Sequence, residues 1–237
     1  MFMNMNAIVT GSTKGIGRAL VFGLLKEGWN VAVTSRNLDD LEEIQSLSKA
    51  SFPNQQCLIH QVDFSTKANT IAYGQTMLNV WPEIDLLVNN VGIFFSGAVH
   101  TEEDEVLEKT MELNLLSPYH LTRTLLPAMM QRKKGHIINL CSIASIMSYP
   151  NGGAYTISKF ALLGFSKALR EEMKPHGIKV TSVMPGATWS GSWEGANYPQ
   201  ERLMPPEDVA EVILSTTRLG PSSVVEEIII RPQFGDL

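Results

Sequence analysis

Tyr155 and Lys159 stand four residues apart in the run Tyr155-Thr156-Ile157-Ser158-Lys159. On a helix, positions i and i+4 share a face, so this spacing lays the Lys159 ammonium beside the Tyr155 phenol, where a cation favours the ionised form. A free tyrosine, with a reference pKa of about 10, is a sluggish base at neutral pH, and a neighbouring cation turns it into a usable proton donor and acceptor. Ser142, thirteen residues before Tyr155, offers a hydroxyl that could steady the same developing alkoxide. Ser145 competes with it on residue type, but Ser142 directly follows an apolar, strand-like segment.

A second cluster opens the chain. Thr10-Gly11-Ser12-Thr13-Lys14-Gly15-Ile16-Gly17 follows an apolar run and leads into a helical pattern. Backbone N–H groups and the helix dipole at such a turn receive a pyrophosphate. The spacing is G-x-x-x-G-x-G, and a glycine-rich corner alone is a weak signal. It gains weight from Asp63 after the third strand-like segment and from Asn89-Asn90-Val91-Gly92 after the fourth, both at strand ends where a nucleotide would lie. The candidate cofactor residues from these turns are Gly11, Ser12, Thr13, Lys14, Gly15, Ile16, Gly17, Asp63, Asn90 and Gly92. At the end of the second segment a dinucleotide site commonly carries an acid for the ribose, whereas here Ser35-Arg36 stands without one. Arg36 together with Lys14 would welcome a 2′-phosphate, so NADP(H) is expected in preference to NAD(H). A dinucleotide and a proton donor together imply hydride transfer.

The elements that must position these residues follow from periodicity. Residues 5–10, 31–34, 57–62, 86–89, 136–140, 180–184 and 227–231 read as short strands bounded by Gly, Pro, Asn or Asp. Helical patterns lie between them. Ile16, Leu20 and Leu24 recur before Gly28; Asn37 caps a helix to about Ser51; Ser65 caps one reaching Val80. Thr101 and Asp104 resemble a capping box for a long helix to about Gln131, kinked at Pro118. Helices over 154–174 and 206–218 complete the set. This alternation predicts an α/β fold: one domain over residues 1–237, a doubly wound parallel sheet of seven strands with helices on both faces. The longest stretch without periodicity, 186–205, is expected to be a substrate loop.

The chain has 237 residues, 44% of them hydrophobic, and a net charge of −5 with the basic residues scattered, which argues against nucleic acid. No apolar run approaches the ~18 residues of a membrane span, and the N-terminal residues show no basic leader, so a soluble, cytoplasmic protein is expected. Cys57 and Cys141 lack CxxC spacing and the five histidines lack ligand spacing, so neither a disulfide framework nor a metal site is expected.

TGSTKGIG, NNVG, Asn114, Ser142, YTISK and Pro185-Gly186 resemble, in order, the motifs of the short-chain dehydrogenase/reductase family, across nearly the whole chain. The resemblance implies a Rossmann-type domain, a homodimer or homotetramer, and a tetrad of Asn114, Ser142, Tyr155 and Lys159. Tyr155 resembles the general acid/base, Lys159 its ribose-binding partner, Ser142 the carbonyl ligand and Asn114 a proton-relay residue. Pro185 and Gly186 would border the nicotinamide, with Thr188 or Ser190 touching its carboxamide. Val91 departs from the family's usual Ala.

The reading is an NADP(H)-dependent reductase of a carbonyl, or dehydrogenase of an alcohol. Trp189, Trp193, Tyr198, Phe94, Phe95, Met147 and Tyr149 point to a largely apolar pocket, and Glu194 would discourage anionic substrates. Reduction of a 3-oxoacyl carrier protein is the alternative within the family, weakened by the thin basic surface of Arg132, Lys133, Lys134, Lys174 and His176. A non-catalytic NADP(H)-binding regulator is the alternative of another class.

Overall fold

The seven apolar runs become strands because each is short, rich in Val and Ile, and closed by a turn former. In the computed structural model, which describes residues 5–190, 199 and 202–235, they are β1 (Asn6–Val9), β2 (Asn30–Ser35), β3 (Cys57–Gln61), β4 (Leu86–Asn89), β5 (Gly135–Leu140), β6 (Ile178–Pro185) and β7 (Glu227–Ile230). They form one parallel sheet in the order β3-β2-β1-β4-β5-β6-β7. Central strands such as β5 are buried along their whole length, as expected when crossover helices cover both faces.

Side chains alternate across the sheet. Ala7 and Val9 face a layer formed with Leu20, Leu24, Ile213 and Leu214, from α1 (Gly15–Lys26) and α7 (Pro206–Thr217). Ile8 faces the opposite layer with Tyr73, Met77, Leu121 and Leu125, from α3 (Lys67–Val80) and α5 (Ser117–Arg132). The order reverses direction between β1 and β4, and the crevice outside the carboxyl ends of those strands is where such sheets bind ligands. The glycine turn after β1 and the Asn90 turn after β4 flank it.

Three expected details are corrected. Thr66, not Ser65, caps α3, its hydroxyl accepting from the Asn69 N–H at 3.3 Å; Asn37 caps α2 (Leu38–Ser51) as expected. The Thr101/Asp104 box does not form, because Thr101 donates back to the Ala98 carbonyl within a turn. The long helix begins instead at α4 (Val106–Met111), entered through Glu105 at φ 70°, and passes through one wide π-turn, Glu112–Leu116, before α5. Pro118 follows that turn: it has no N–H for the i+4 bond to the Asn114 carbonyl, so the register widens there. The last helix before β6 is α6 (Gly153–Met173), the one that carries Tyr155 and Lys159. Among the described residues no helix is long and apolar enough to cross a membrane.

His136 on β5 gives the fold a built-in acid sensitivity. Its Nε2 lies 2.8 Å from Thr181 Oγ1, and Thr181 already donates its hydroxyl hydrogen to the Val225 carbonyl at 2.6 Å. The ring nitrogen is therefore the donor to Thr181. Burial, reinforced by the Lys179 charge, pushes the imidazole pKa down to about 3. The unfolded chain takes up this proton near the ordinary value of about 6.5, so between the two values it holds more protons than the folded state and stability is lost as the pH is lowered. From pH 6.5 to pH 4 the loss should reach about 3 kcal/mol. Urea denaturation at the two pH values should show His136→Gln free of that part of the loss.

Candidate active site

The chemistry-bearing side chains converge on one cavity of about 650 Å³ at the carboxyl edge of the sheet, lined among others by Gly15, Asn90, Ser142, Tyr155, Lys159 and Gly186. α6 presents Tyr155 and Lys159 on the same face, as the i, i+4 spacing requires. Lys159 is only 5% exposed. Its Nζ donates to the carbonyl of Leu140, the last residue of β5, at 2.7 Å and lies 5.7 Å from the centre of the Tyr155 ring. Phe94, from the turn after β4, stands edge-on to that ring at 5.0 Å and 88°.

Ser142 sits where β5 ends. Its Oγ accepts from the Ala144 N–H at 3.1 Å, which leaves its own hydrogen to point at a ligand. Ser145 is almost wholly buried, and its Oγ accepts from the Ser142 N–H at 3.2 Å. Ser142 lines the cavity, and Ser145 holds the Ser142 backbone. Cys141 beside them is a core thiol: burial pushes its pKa up, more than the opposing Lys159 charge pulls it down.

Asn114 lies in the π-turn and is fully buried. Its amide is committed: Oδ1 accepts from the Ile93 N–H at 2.8 Å, and Nδ2 donates to the Ile93 carbonyl and to Ser158 Oγ, both at 3.0 Å. Ser158 in turn donates to the Tyr155 carbonyl at 2.7 Å. Each polar atom of the side chain thus bonds protein, and a water held by Asn114 would share Oδ1 with the Ile93 N–H. What the amide does is bind the wall after β4 to the helix that carries Tyr155.

The glycine turn has the shape of a phosphate cradle. Gly15 adopts φ 53°, a conformation that favours glycine, at the start of α1. Gly17 permits a close approach of chains: a Cβ there would meet Asn90 Nδ2 at 2.6 Å and the Gly11 carbonyl at 2.8 Å. Asn90 fastens the same turn by donating to the Thr10 and Gly11 carbonyls at 2.8 and 2.7 Å. Gly11, Lys14, Gly15, Ile16, Gly92, Pro185, Thr188 and Ser190 all line the cavity. Ser12 does not; its hydroxyl is buried, donating to the Val9 carbonyl at 2.7 Å and accepting from the Thr34 N–H. Thr13 bonds Ser35 at 3.4 Å, tying the turn to the end of β2.

Arg36 and Asp63 are exposed at the ends of β2 and β3. The Ser65 backbone N–H, followed by further help from the Ser65 hydroxyl and the Arg36 charge, holds the Asp63 carboxyl below its ordinary range against a small desolvation penalty. Lys14 is mostly exposed and only loosely paired with Asp40, at 3.9 Å. Thr188 turns its hydroxyl back to the Gly186 carbonyl at 3.0 Å, whereas Ser190 faces Gly15.

Of the expected pocket residues, Phe94, Met147 and Tyr149 line the cavity. Trp189 does not: it faces an adjoining hollow with Thr13, Lys14 and Arg18. Phe95 is exposed outside the cavity, and Trp193, Glu194 and Tyr198 lie outside the described residues.

Sequence reasoning missed Glu102. Its Oε1 accepts from the Ala154 N–H at 2.8 Å, capping α6 from 52 residues away, where Gly152 supplies no side chain. A Cβ on Gly153 would stand 2.4 Å from that oxygen, so a larger residue there would push the carboxylate from its place. Next to it Gly97 bridges to Gly152, with bonds from the Gly97 N–H to the Asn151 carbonyl and from the Gly153 N–H to the Gly97 carbonyl, both 3.0 Å. A carboxylate cap at a helix N-terminus contributes about 1 kcal/mol. Glu102→Ala should lower unfolding stability by that amount in urea titrations, and Glu102→Gln, which keeps the acceptor, should lose less.

A strand-turn-helix cradle, a switch-point crevice, and a buried lysine beside a cavity-facing tyrosine stand together at the carboxyl edge of a Rossmann-type sheet. The family model described as short chain dehydrogenase matches residues 5–200, and the chain belongs to that family. Dehydrogenase/reductase SDR family member 7B of Mus musculus is 35% identical over 185 residues, 77% of this chain and 57% of that one, so the chain spans little more than half the length of such curated relatives. Sepiapterin reductase of Chlorobaculum tepidum is 29% identical over 238 residues, covering 97% of each chain. A metagenomic short-chain oxidoreductase crystallised in complex with NADP superposes with a TM-score of 0.84 at 31% identity, over 97% of each chain.

Proposed function

We propose that this protein is an NADP(H)-dependent oxidoreductase acting on a carbonyl or secondary alcohol, with Tyr155 as general acid/base. The observation that carries the reading is the placing of Lys159: a buried ammonium, held by Leu140 and facing the cavity beside Tyr155. When bound, NADP(H) would supply or accept the hydride at the carbon. The residues fit it: the glycine turn and α1 N-terminus would take the pyrophosphate, and Arg36 with Lys14 the 2′-phosphate. The likeness to a relative solved with NADP supports the same preference.

In the reducing direction Tyr155 donates its proton to the oxygen on which negative charge develops. Ser142 donates a hydrogen bond to that oxygen, and Lys159 offers positive charge as the proton leaves Tyr155. Asn114 contributes by fixing Ile93 and, through Ser158, the first turns of α6. The apolar walls Val91, Ile93, Phe94, Ile143 and Met147 suit a largely apolar substrate. Exposed Leu107, Leu116, Ile157 and Phe160 on α4, the π-turn and α6 support pairing with a second copy. The test is oxidation of NADPH against NADH with aromatic ketones, aldehydes and an acetoacetyl thioester. Turnover of the ketones and aldehydes with NADPH preferred is the expected result; binding of NADPH without turnover of any of them would overturn it in favour of a regulator.

A further inference from the structure

The cavity holds a second phenol that proton transfer does not use. Tyr149 lines the same space as Tyr155 and Ser142, six residues ahead of Tyr155 on the turn that leads into α6. Its backbone carbonyl accepts from the Gly152 N–H at 3.2 Å, and Gly152 is itself bridged to Gly97. The ring is packed closely on that turn: a Cβ on Gly152 would stand 3.0 Å from Tyr149 Cε2 and 3.1 Å from Cζ. With the turn also pinned by Glu102 at Ala154, Tyr149 is held by backbone bonds and by contact rather than left to swing.

The Tyr149 hydroxyl bonds to no other described residue, whereas Thr188, another hydroxyl of the cavity, is turned back on Gly186. Several of the cavity walls are apolar and Tyr149 keeps 38% of its surface exposed, so its O–H is a donor that only water satisfies until a ligand arrives. Burial, together with the nearby Tyr155, pushes its pKa up to about 12, which keeps it a neutral donor in the working range. Its place beside Tyr155 and Ser142 makes a site with three hydroxyls, one more pair of hands than a simple ketone oxygen can occupy.

We infer that Tyr149 is a specificity-determining residue that binds a second substrate oxygen, so that the preferred substrates are vicinal dioxygen compounds, 1,2-diketones or α-hydroxy ketones. The inference rests on the carbonyl-reductase reading above. Tyr155 and Ser142 take the reacting oxygen, and Tyr149 donates to its neighbour, fixing which carbon faces the hydride. A substrate with the second oxygen replaces the water on the phenol bond for bond, whereas an analogue lacking it displaces that water and leaves the O–H unpaired, and the discrimination comes from that difference.

The test compares 1-phenyl-1,2-propanedione with 1-phenyl-1-propanone, which differ by one carbonyl oxygen, in the wild type and in Tyr149→Phe. The ratio of kcat/KM for the diketone to that for the monoketone should fall about tenfold in the variant, the factor expected for one hydrogen bond. Thermal unfolding and NADPH fluorescence titration of Tyr149→Phe establish that it is folded. An unchanged ratio would overturn the role of Tyr149 while leaving carbonyl reduction in place. Failure of the wild type to turn over either compound with NADPH would overturn the carbonyl-reductase reading and this inference together.

Discussion

Tyr155→Phe should reduce carbonyl reduction about a thousandfold, the range general acid catalysis supplies, with NADPH affinity within about twofold of the wild type. The substitution removes one oxygen and little else. The ring keeps its edge-on contact with Phe94, and the bond from Ser158 ends on the backbone carbonyl of residue 155, which the change does not touch. The loss should therefore fall on kcat, with KM for the ketone little altered, because the missing interaction matures only as charge develops on the substrate oxygen. Stopped-flow reduction at saturating NADPH separates the two terms. Near-normal turnover would sink the assignment and transfer attention to the other phenol of the cavity, Tyr149.

Much of this site was legible in the sequence because it depends on local rules. The four-residue spacing of Tyr155 and Lys159 needs only a helix, and α6 supplies one. The glycine turn and the residues after β4 needed only alternating strands and helices to bring them to the same edge, and the sheet order does so. What escaped notice depends on contacts distant in sequence. Glu102 carries no signature of a cap, since the N–H it serves belongs to Ala154. The fate of the Asn114 amide turns on Ile93 and Ser158, 21 and 44 residues away. Trp189 follows the substrate-loop composition, yet the backbone pairing of Thr188 and Trp189 with Met204 sets it at the adjoining hollow with Lys14 and Arg18. Periodicity reports the face of an element, and these cases are decided by what another element brings to that face.

Lys159→Ala should be more damaging in kind than Tyr155→Phe: kcat falls about a hundredfold or more and KM for NADPH rises about tenfold, read from steady-state kinetics with both substrates varied. The double effect follows from where Nζ stands. It faces the cavity beside Tyr155, and a Cβ on Gly92, at the edge of the cofactor crevice, would lie only 3.7 Å from it. Lys159→Met separates charge from packing, since it keeps the length of the chain and loses the ammonium. Lys159 is 5% exposed, and among the described residues no carboxylate pairs with it. Its main protein partner is the neutral Leu140 carbonyl. Burying a cation on those terms costs stability, and its replacement by an apolar side chain of similar volume is often neutral or stabilising. Lys159→Met should thus unfold at the same urea concentration as the wild type or a higher one, while its turnover collapses with that of Lys159→Ala. Opposite movement of stability and rate is the signature of a charge kept for chemistry; a parallel loss of both would mean that Lys159 serves the fold, and the case for Tyr155 as an activated acid would lose its partner.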